Sequence, residues 1–261
     1  MKIGKTEKYI YDTLENKGAM LFMLIDPVDY RTDKAAIDAA LQSVNSGADL
    51  MLVGGSIGAQ GELLDHVVRS IKDKSDVPVV LFPGNIATIT KYADAIYFMS
   101  LLNARNPYWI TQAQVLSAPI IKQFKIEALP VGYIVVAPGG TVGWVGDVNM
   151  VPREKPKIAA ALAMAGESLG NRFIITDVGS NPQSQGCGPV PVEMIKEVSS
   201  MIDVPYIVAG GIRTLDDMKK SYNAGADILQ IGTAIENSES VAKTVSSFAK
   251  VVKEEGKRHL K

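Results

Sequence analysis

The sequence predicts an α/β fold, a (β/α)8 TIM barrel, from three observations. Eight short apolar runs recur along the chain without polar alternation, which is typical of strands buried on both faces of a parallel sheet. Most of these runs are followed by a segment with helical periodicity. The length of 261 residues, without a linker or a low-complexity stretch, suits one barrel. We therefore expect a single domain over residues 1–261.

The predicted strands and helices alternate in chain order. The strands are 19–25, 50–53, 79–82, 95–99, 128–136, 173–176, 206–209 and 228–231. The helices are 33–46, 63–72, 109–124, 157–169, 192–201, 215–223 and 238–253. Thr214, followed three residues later by Asp217, resembles a capping box and marks one helix start. The charged residues 250–261 are expected to form a solvated helix end.

The third strand–helix unit is irregular. Only residues 83–94 separate the third predicted strand from the fourth, and the segment opens with Pro83, Gly84 and Asn85. We therefore expect the barrel to be modified, with a missing or stunted third outer helix. A doubly wound open sheet is the main alternative, but its glycine-rich fingerprint after the first strand is replaced by Ile25-Asp26-Pro27.

Composition excludes several classes of function. The chain has 27 basic and 28 acidic residues, so it lacks the basic excess that a nucleic-acid binder would show. One cysteine, Cys187, excludes an internal disulfide, and two histidines exclude a histidine-rich metal site. The apolar runs are far shorter than the ~18 residues of a membrane-spanning helix, and the N-terminal residues do not resemble a signal peptide. We expect a cytoplasmic protein without a transmembrane segment.

Glycines follow the last three predicted strands, where barrel enzymes carry their sites. Gly210 and Gly211 follow the seventh strand, and Gly232 with Thr233 follows the eighth. Backbone N–H groups of such turns can converge on a phosphate because no Cβ blocks the approach. The alternative is that these glycines only make tight turns. The pair on neighbouring strands favours a phosphate site, which the amides of Gly179 and Ser180 would extend, but it does not identify the substrate.

Two oxygen-bearing side chains follow the first two strands. Asp26 ends the first predicted strand, and Ser56 follows the two glycines that end the second. A carboxylate, a hydroxyl and water suit Mg²⁺ that bridges to a substrate phosphate. An aspartate before a proline is also common as a turn residue, so these two positions alone leave both interpretations open.

Longer motifs lie in the middle of the chain. They read SLLNARNPYW over 100–109, PVGY over 130–133 and APGGTVGWVGD over 137–147. These stretches closely resemble the geranylgeranylglyceryl phosphate synthase family of archaeal ether-lipid synthesis, and the resemblance runs from about residue 21 to residue 235. It implies a modified barrel with a degenerate third helix. It also implies transfer of a geranylgeranyl group from geranylgeranyl diphosphate to sn-glycerol 1-phosphate, with Mg²⁺ as the cofactor.

The resemblance implies a role for particular residues. Asp26 and Ser56 would be the Mg²⁺ ligands, and Asp177 would be the catalytic residue that faces the glycerol hydroxyls. The expected prenyl channel is bordered by Leu101, Tyr108, Trp109 and Tyr133. The expected glycerol-phosphate contacts come from Ile175, Thr176, Asp177, Gly179, Ser180, Asn181, Gly210, Gly211, Gly232 and Thr233. The resemblance further implies a homo-oligomer and transient contact with a membrane for product release.

The sequence departs from the family pattern on the sixth strand. Ile175 replaces an aromatic residue, Asp177 replaces a glutamate, and Asn181 replaces a glycine. Val28 stands at the position of a second acidic residue, and Ala209 replaces a third glycine before Gly210. These changes bear on the glycerol contacts more than on the reaction. Two other functions stay open, namely a prenyltransferase with a longer donor and a barrel that only binds FMN or a metabolite.

Overall fold

The computed structural model describes residues 3–55, 57, 59–236 and 238–260. Its eight strands form a closed barrel in sequence order, which confirms the predicted fold. Neighbouring strands pair in parallel, as in Ile25 with Val53 and Ala209 with Gln230. The strands are β1 (Met20–Ile25), β2 (Leu50–Val53), β3 (Val79–Leu81), β4 (Ala95–Leu101), β5 (Glu127–Val135), β6 (Phe173–Asp177), β7 (Tyr206–Ala209) and β8 (Ile228–Ile231).

The helices follow the predicted alternation, and α1, α5 and α9 are additional to it. They are α1 (Lys5–Lys17), α2 (Asp33–Asn45), α3 (Gly61–Lys72), α4 (Ala113–Phe124), α5 (Gly140–Val145), α6 (Pro156–Ser168), α7 (Val192–Ser199), α8 (Leu215–Asn223), α9 (Thr233–Glu236) and α10 (Val241–His259). Residues 82–94 form turns and bends without a helix, so the missing third outer helix is confirmed. The capping box of α8 is also present, with Thr214 and Asp217 exchanging hydrogen bonds.

The expected C-terminal helix end is present through His259 with most of its charged side chains exposed, but one face of it is buried. Along α10 the side chains of Val251, Val252 and Glu255 are buried. A Cβ built on Gly256 would lie 2.1 Å from the Lys17 carbonyl oxygen at the end of α1. Apart from Glu255, the charged residues of 250–260 therefore lie on the exposed face of an amphipathic helix. Its other face packs on α1, a helix that the apolar pattern had not indicated.

The aspartates that immediately precede β2, β4 and β8 bind the preceding strands. Asp49 before β2 accepts a hydrogen bond from the Leu21 amide at 2.9 Å, and its own amide donates to the Leu21 carbonyl. Asp94 before β4 makes the same pair of bonds with Val79 in β3. Asp227 pairs in this way with β7. Each aspartate supplies an acceptor for a backbone N–H of the preceding strand, which gives a role to the aspartate of the two triplets Gly47-Ala48-Asp49 and Gly225-Ala226-Asp227.

Two compact units make up the chain. The first comprises Met1–Tyr97, Val115–Leu129 and Ala234–Lys261, and it includes β1 to β3 with α1, α2, α3 and α10. Within it, Glu127 accepts hydrogen bonds from the Thr6 and Glu7 amides at the start of α1. The second unit comprises Phe98–Gln114 and Pro130–Thr233, and it includes β6 to β8. The single domain expected over 1–261 stays a prediction.

A search of the described helices for a membrane-spanning segment finds none with the required length and apolar character.

Candidate active site

The glycines that follow β6 and β7 pack directly against one another. A Cβ on Gly210 would lie 2.5 Å from Asp177 Oδ1 and 2.7 Å from the Gly179 carbonyl oxygen. A Cβ on Gly179 would lie 2.4 Å from the Gly139 carbonyl oxygen in the loop after β5. Gly179, Gly210 and Gly211 all have positive φ, between 71° and 83°. Glycine is therefore required here for both space and conformation, and these turns form what we call the glycine cradle (Gly179, Ser180, Gly210 and Gly211).

Asp177 lies beneath the cradle as the last residue of β6, and only 6% of it is exposed. Its Oδ2 accepts a hydrogen bond from the Tyr133 hydroxyl at 2.7 Å, and its Oδ1 accepts one from the Gly179 amide at 2.6 Å. Burial raises the pKa of Asp177, while the bonds from Tyr133 and Gly179 oppose that rise by stabilising the carboxylate. Asp177 thus holds the turn and is a buried acceptor whose basicity Tyr133 tunes.

Register explains why these two side chains meet. Tyr133 on β5 pairs with Ile175 on β6, and Asp177 lies two residues further along β6. Because side chains of a strand alternate between faces, Ile175 and Asp177 share one face, and Tyr133 reaches the diagonal position. The family resemblance implies that Tyr133 borders a prenyl channel. The structure directs its hydroxyl to Asp177 and leaves the side chain 2% exposed.

The other expected glycerol-phosphate residues differ in accessibility. Ile175 and Thr176 are fully buried, and the Thr176 hydroxyl lies 2.6 Å from that of Tyr206. Ser180 and Asn181 are exposed next to the buried Gly179. Gly232 and Thr233 follow β8, the neighbour of β7, and Thr233 begins α9. Ser180, Asn181, Gly232 and Thr233 thus remain accessible candidates, whereas Ile175 and Thr176 offer a ligand little side-chain surface.

Two motifs behind the family resemblance bind to each other. The Asn103 side-chain amide donates to the carbonyls of Val135 and Asn149, and its oxygen accepts from the Val135 amide. Arg105 forms an ion pair with Asp147, with a distance of 3.1 Å between the guanidinium and the carboxylate. The loop after β4 is therefore connected to β5 and to the segment that follows β5 through the side chains of Asn103 and Arg105.

The apolar channel candidates lie around the end of β4. Leu101 is buried, and its side chain occupies the space beside Gly146. Tyr108 and Trp109 are half-buried, and their rings meet edge to face with centroids 4.9 Å apart. They open a π-helical turn, Tyr108–Gln112, that precedes α4. Such turns occur frequently at functional sites, and the apolar pattern had predicted only a regular helix there. Lining of a prenyl channel by these residues stays a prediction.

Asp26 belongs to the first unit and follows β1. A Cβ on Gly54 would lie 3.1 Å from Asp26 Oδ1 and 3.0 Å from the Phe82 carbonyl oxygen, so the space beside the carboxylate depends on glycine. Burial, and then the carboxylates of Glu236, Asp26 and Asp29, raises the pKa of Tyr30. The expected second ligand, Ser56, lies outside the described residues.

This arrangement fits Mg²⁺ better than a softer metal. Mg²⁺ typically uses one or two carboxylates, with water and substrate phosphate oxygens completing its shell. Among the described residues, no cluster of three or more His, Cys, Asp and Glu side chains is arranged to hold a metal. The Asp26 carboxylate is a hard oxygen donor, as Mg²⁺ prefers, and Glu236 and Asp29 also lie within electrostatic range of Tyr30.

The fold and the glycine turns are those of (β/α)8-barrel enzymes. The chain belongs to the PcrB family, whose model matches residues 11–252. A geranylgeranylglyceryl phosphate synthase of Pyrococcus abyssi is 52% identical over 241 residues, which cover 92% of this chain and 94% of that protein. The corresponding protein of Pyrococcus horikoshii is 53% identical over 241 residues, with 92% coverage of each chain.

A solved structure shares the whole fold. The (S)-3-O-geranylgeranylglyceryl phosphate synthase of Thermoplasma acidophilum, in complex with sn-glycerol-1-phosphate, gives a TM-score of 0.89 at 32% identity. The match covers 97% of this chain and 100% of that chain. The resemblance inferred from the sequence motifs is confirmed.

Proposed function

We propose that this chain is a geranylgeranylglyceryl phosphate synthase. It transfers the geranylgeranyl group of geranylgeranyl diphosphate to sn-glycerol 1-phosphate. A bond forms between the C3 hydroxyl oxygen of the glycerol and C1 of the prenyl chain, while the bond from C1 to the diphosphate oxygen breaks. The hydroxyl proton is released, and the products are geranylgeranylglyceryl phosphate and diphosphate. This is the first ether bond of archaeal membrane phospholipids.

The observation that carries this proposal is the glycine cradle, with a buried carboxylate directly beneath it. A phosphate ester with neighbouring hydroxyls suits such a pair, because amides bind the phosphate and a carboxylate accepts from a hydroxyl. The Thermoplasma acidophilum relative, 32% identical over nearly the whole chain, has sn-glycerol-1-phosphate bound. In this proposal the cradle holds the phosphate end of sn-glycerol 1-phosphate. The reaction then gains rate because its C3 hydroxyl is held in position for attack.

Asp177 is the proposed catalytic residue. Its hydrogen bonds from Tyr133 and Gly179 use one acceptor site on each oxygen, and a carboxylate has about four such sites. It therefore retains capacity for a glycerol hydroxyl. The raised pKa brings its basicity closer to that of a useful proton acceptor. Its role is to orient the hydroxyl and to accept its proton as the new bond forms.

Mg²⁺ is the proposed cofactor, held by Asp26 and Ser56. When bound, it neutralises charge on the departing diphosphate. Asp26 contributes a formal negative charge at the end of β1, and Gly54 places no side chain against its Oδ1. The carboxylate also keeps a second anion away unless a cation accompanies it, so diphosphate binding is expected to depend on the metal.

The remaining parts of the proposal concern surroundings and assembly. Leu101, Tyr108 and Trp109 would border the prenyl chain, for which an apolar wall is required. The enzyme would work in the cytoplasm as a homo-oligomer and would contact a membrane transiently when it releases its product. Size measurement in solution and flotation with archaeal-lipid vesicles would test the last two statements.

The deciding experiment is an assay with labelled sn-glycerol 1-phosphate and prenyl diphosphates of C20 and C35 length, with Mg²⁺ or EDTA. We expect product with the C20 donor and its loss in EDTA. A preference for the C35 donor would show that the protein is a prenyltransferase for the longer chain and not for geranylgeranyl diphosphate. If no donor gives product and the purified protein is yellow from bound FMN, the barrel is a binding protein and the proposal is wrong.

A further inference from the structure

The loop between β6 and α7 binds the turn after β7 through one side chain. Residues Pro182–Gln185 form a 3-10 turn, bounded by Asn181 and Gly186, which both have positive φ. From this turn the Gln183 side-chain nitrogen donates to the Gly211 carbonyl oxygen at 2.6 Å. A carbonyl oxygen only accepts, so the amide must face it with its nitrogen.

Other contacts hold the same loop in place. A Cβ on Gly211 would lie 2.6 Å from Pro182 Cγ and 3.1 Å from Pro189, so the two prolines enclose this glycine. The Arg213 guanidinium donates to Asn181 Oδ1 at 2.7 Å. Arg153 donates to the Pro189 carbonyl at 2.6 Å. Gln183 therefore projects from a fixed loop.

This bond acts on the backbone of a glycine. Gly211 has φ of 71°, and glycine has more backbone freedom than any other residue. Its carbonyl belongs to the peptide that joins it to Ile212, so a hydrogen bond to that oxygen fixes the peptide plane. A fixed turn loses less entropy when it binds a ligand.

We expect the contact to add little to the free energy of folding. Gln183 Oε1 is buried without a hydrogen-bond partner. An unpaired buried oxygen carries a desolvation penalty that offsets the gain from the bond at the nitrogen. Replacing the amide with an apolar group of similar volume should therefore leave global stability close to that of the wild type.

We propose that Gln183 is a positioning residue of the glycerol-phosphate site: its hydrogen bond to the Gly211 carbonyl holds the glycine pair after β7 in its phosphate-binding conformation. This inference rests on the proposed function only through the assignment of the cradle to the phosphate. It adds a residue from the loop Asn181–Pro189 that does not itself contact the ligand.

The test measures binding of sn-glycerol 1-phosphate to the full chain by calorimetry, without a prenyl donor. Gln183→Met removes the donor at similar volume, and Gln185→Met, in the same turn but exposed, is the matched control. We expect Kd to rise about five- to tenfold for Gln183→Met only, with both melting temperatures near the wild-type value. An unchanged Kd, or an equal rise in the control, would overturn the proposal.

Gln183→Glu keeps the shape of the side chain and makes its hydrogen bond to Gly211 depend on pH. The pH dependence of Kd is a measurement that a merely structural role of Gln183 would not change. The ionised carboxylate repels the Gly211 carbonyl oxygen, whereas the protonated acid again donates to it. The ratio of Kd values for Gln183→Glu and wild type should therefore fall as pH is lowered from 8 to about 5. Arg153 and Arg213 are the charged side chains bonded to this loop. A ratio that does not change with pH contradicts the inference, even if Gln183→Met fails to fold.

The two proposals fail in different ways. If wild type binds sn-glycerol 1-phosphate but forms no prenyl product, the proposed reaction is wrong, and the Kd comparison still decides the role of Gln183. If wild type binds neither sn-glycerol 1-phosphate nor inorganic phosphate, the cradle assignment and the role of Gln183 are both wrong.

Discussion

Tyr133→Phe removes one hydroxyl and leaves the ring that packs in the barrel. The lost group donates to Asp177 Oδ2 at 2.7 Å, between two side chains that are 2% and 6% exposed. Water has little access to replace the bond. The Gly179 amide remains on Oδ1. The substitution therefore changes mainly the stability of the Asp177 carboxylate relative to its protonated form.

The direction and size of the expected change in activity follow from the lost hydrogen bond. Hydrogen bonds to charged groups contribute about 1.5–3 kcal/mol, and the bond from Tyr133 opposes the burial that raises the pKa of Asp177. Without it the pKa rises further. Proton acceptance requires the ionised carboxylate, so activity is lost as pH falls through this pKa. The acidic limb of kcat/KM should move to higher pH, and activity below the limb should fall roughly 10- to 100-fold.

The measurement is kcat/KM for sn-glycerol 1-phosphate as a function of pH, at saturating prenyl donor and Mg²⁺. Tyr206→Phe is the matched control, because that buried tyrosine shares its hydroxyl hydrogen bond with the neutral Thr176. It should leave the limb in place. Asp177→Asn should abolish most activity at every pH. An acidic limb that stays at the wild-type pH in Tyr133→Phe would refute the assignment of Asp177 as the proton acceptor.

Three further outcomes are expected. Asp26→Asn should raise the Mg²⁺ concentration for half-maximal activity more than tenfold with an unchanged melting temperature; wild-type activity at low Mg²⁺ would contradict the metal assignment. Asp227→Ala removes the carboxylate that caps β7 and should lower the free energy of unfolding by about 1–3 kcal/mol in urea titrations, with KM unchanged. Gly256→Ala should cost about 1–3 kcal/mol because its Cβ would strike the Lys17 carbonyl. A Cβ on Gly188 would meet open space, so Gly188→Ala should have the melting temperature of the wild type. Equal melting temperatures of the two alanine variants would disprove the close packing of Gly256 on Lys17.

Local sequence pattern determined the elements and their order. The bounds of β2, β7, β8 and α8 match the predicted ones to the residue, because each is a short apolar or amphipathic run between turn residues. The missing third helix followed from the length of residues 83–94. The glycines of the cradle were also evident, since the barrel fold specifies that sites follow the carboxyl ends of strands.

Tertiary structure decided which atoms meet. Tyr133 and Asp177 are 44 residues apart, and only the β5–β6 register places the phenol on the carboxylate. The Gln183 contact with Gly211 crosses 28 residues and depends on the fold of an irregular loop. Periodicity describes which face of an element is apolar, but it does not specify the partner of a polar side chain, because that partner is chosen when distant strands and loops come together.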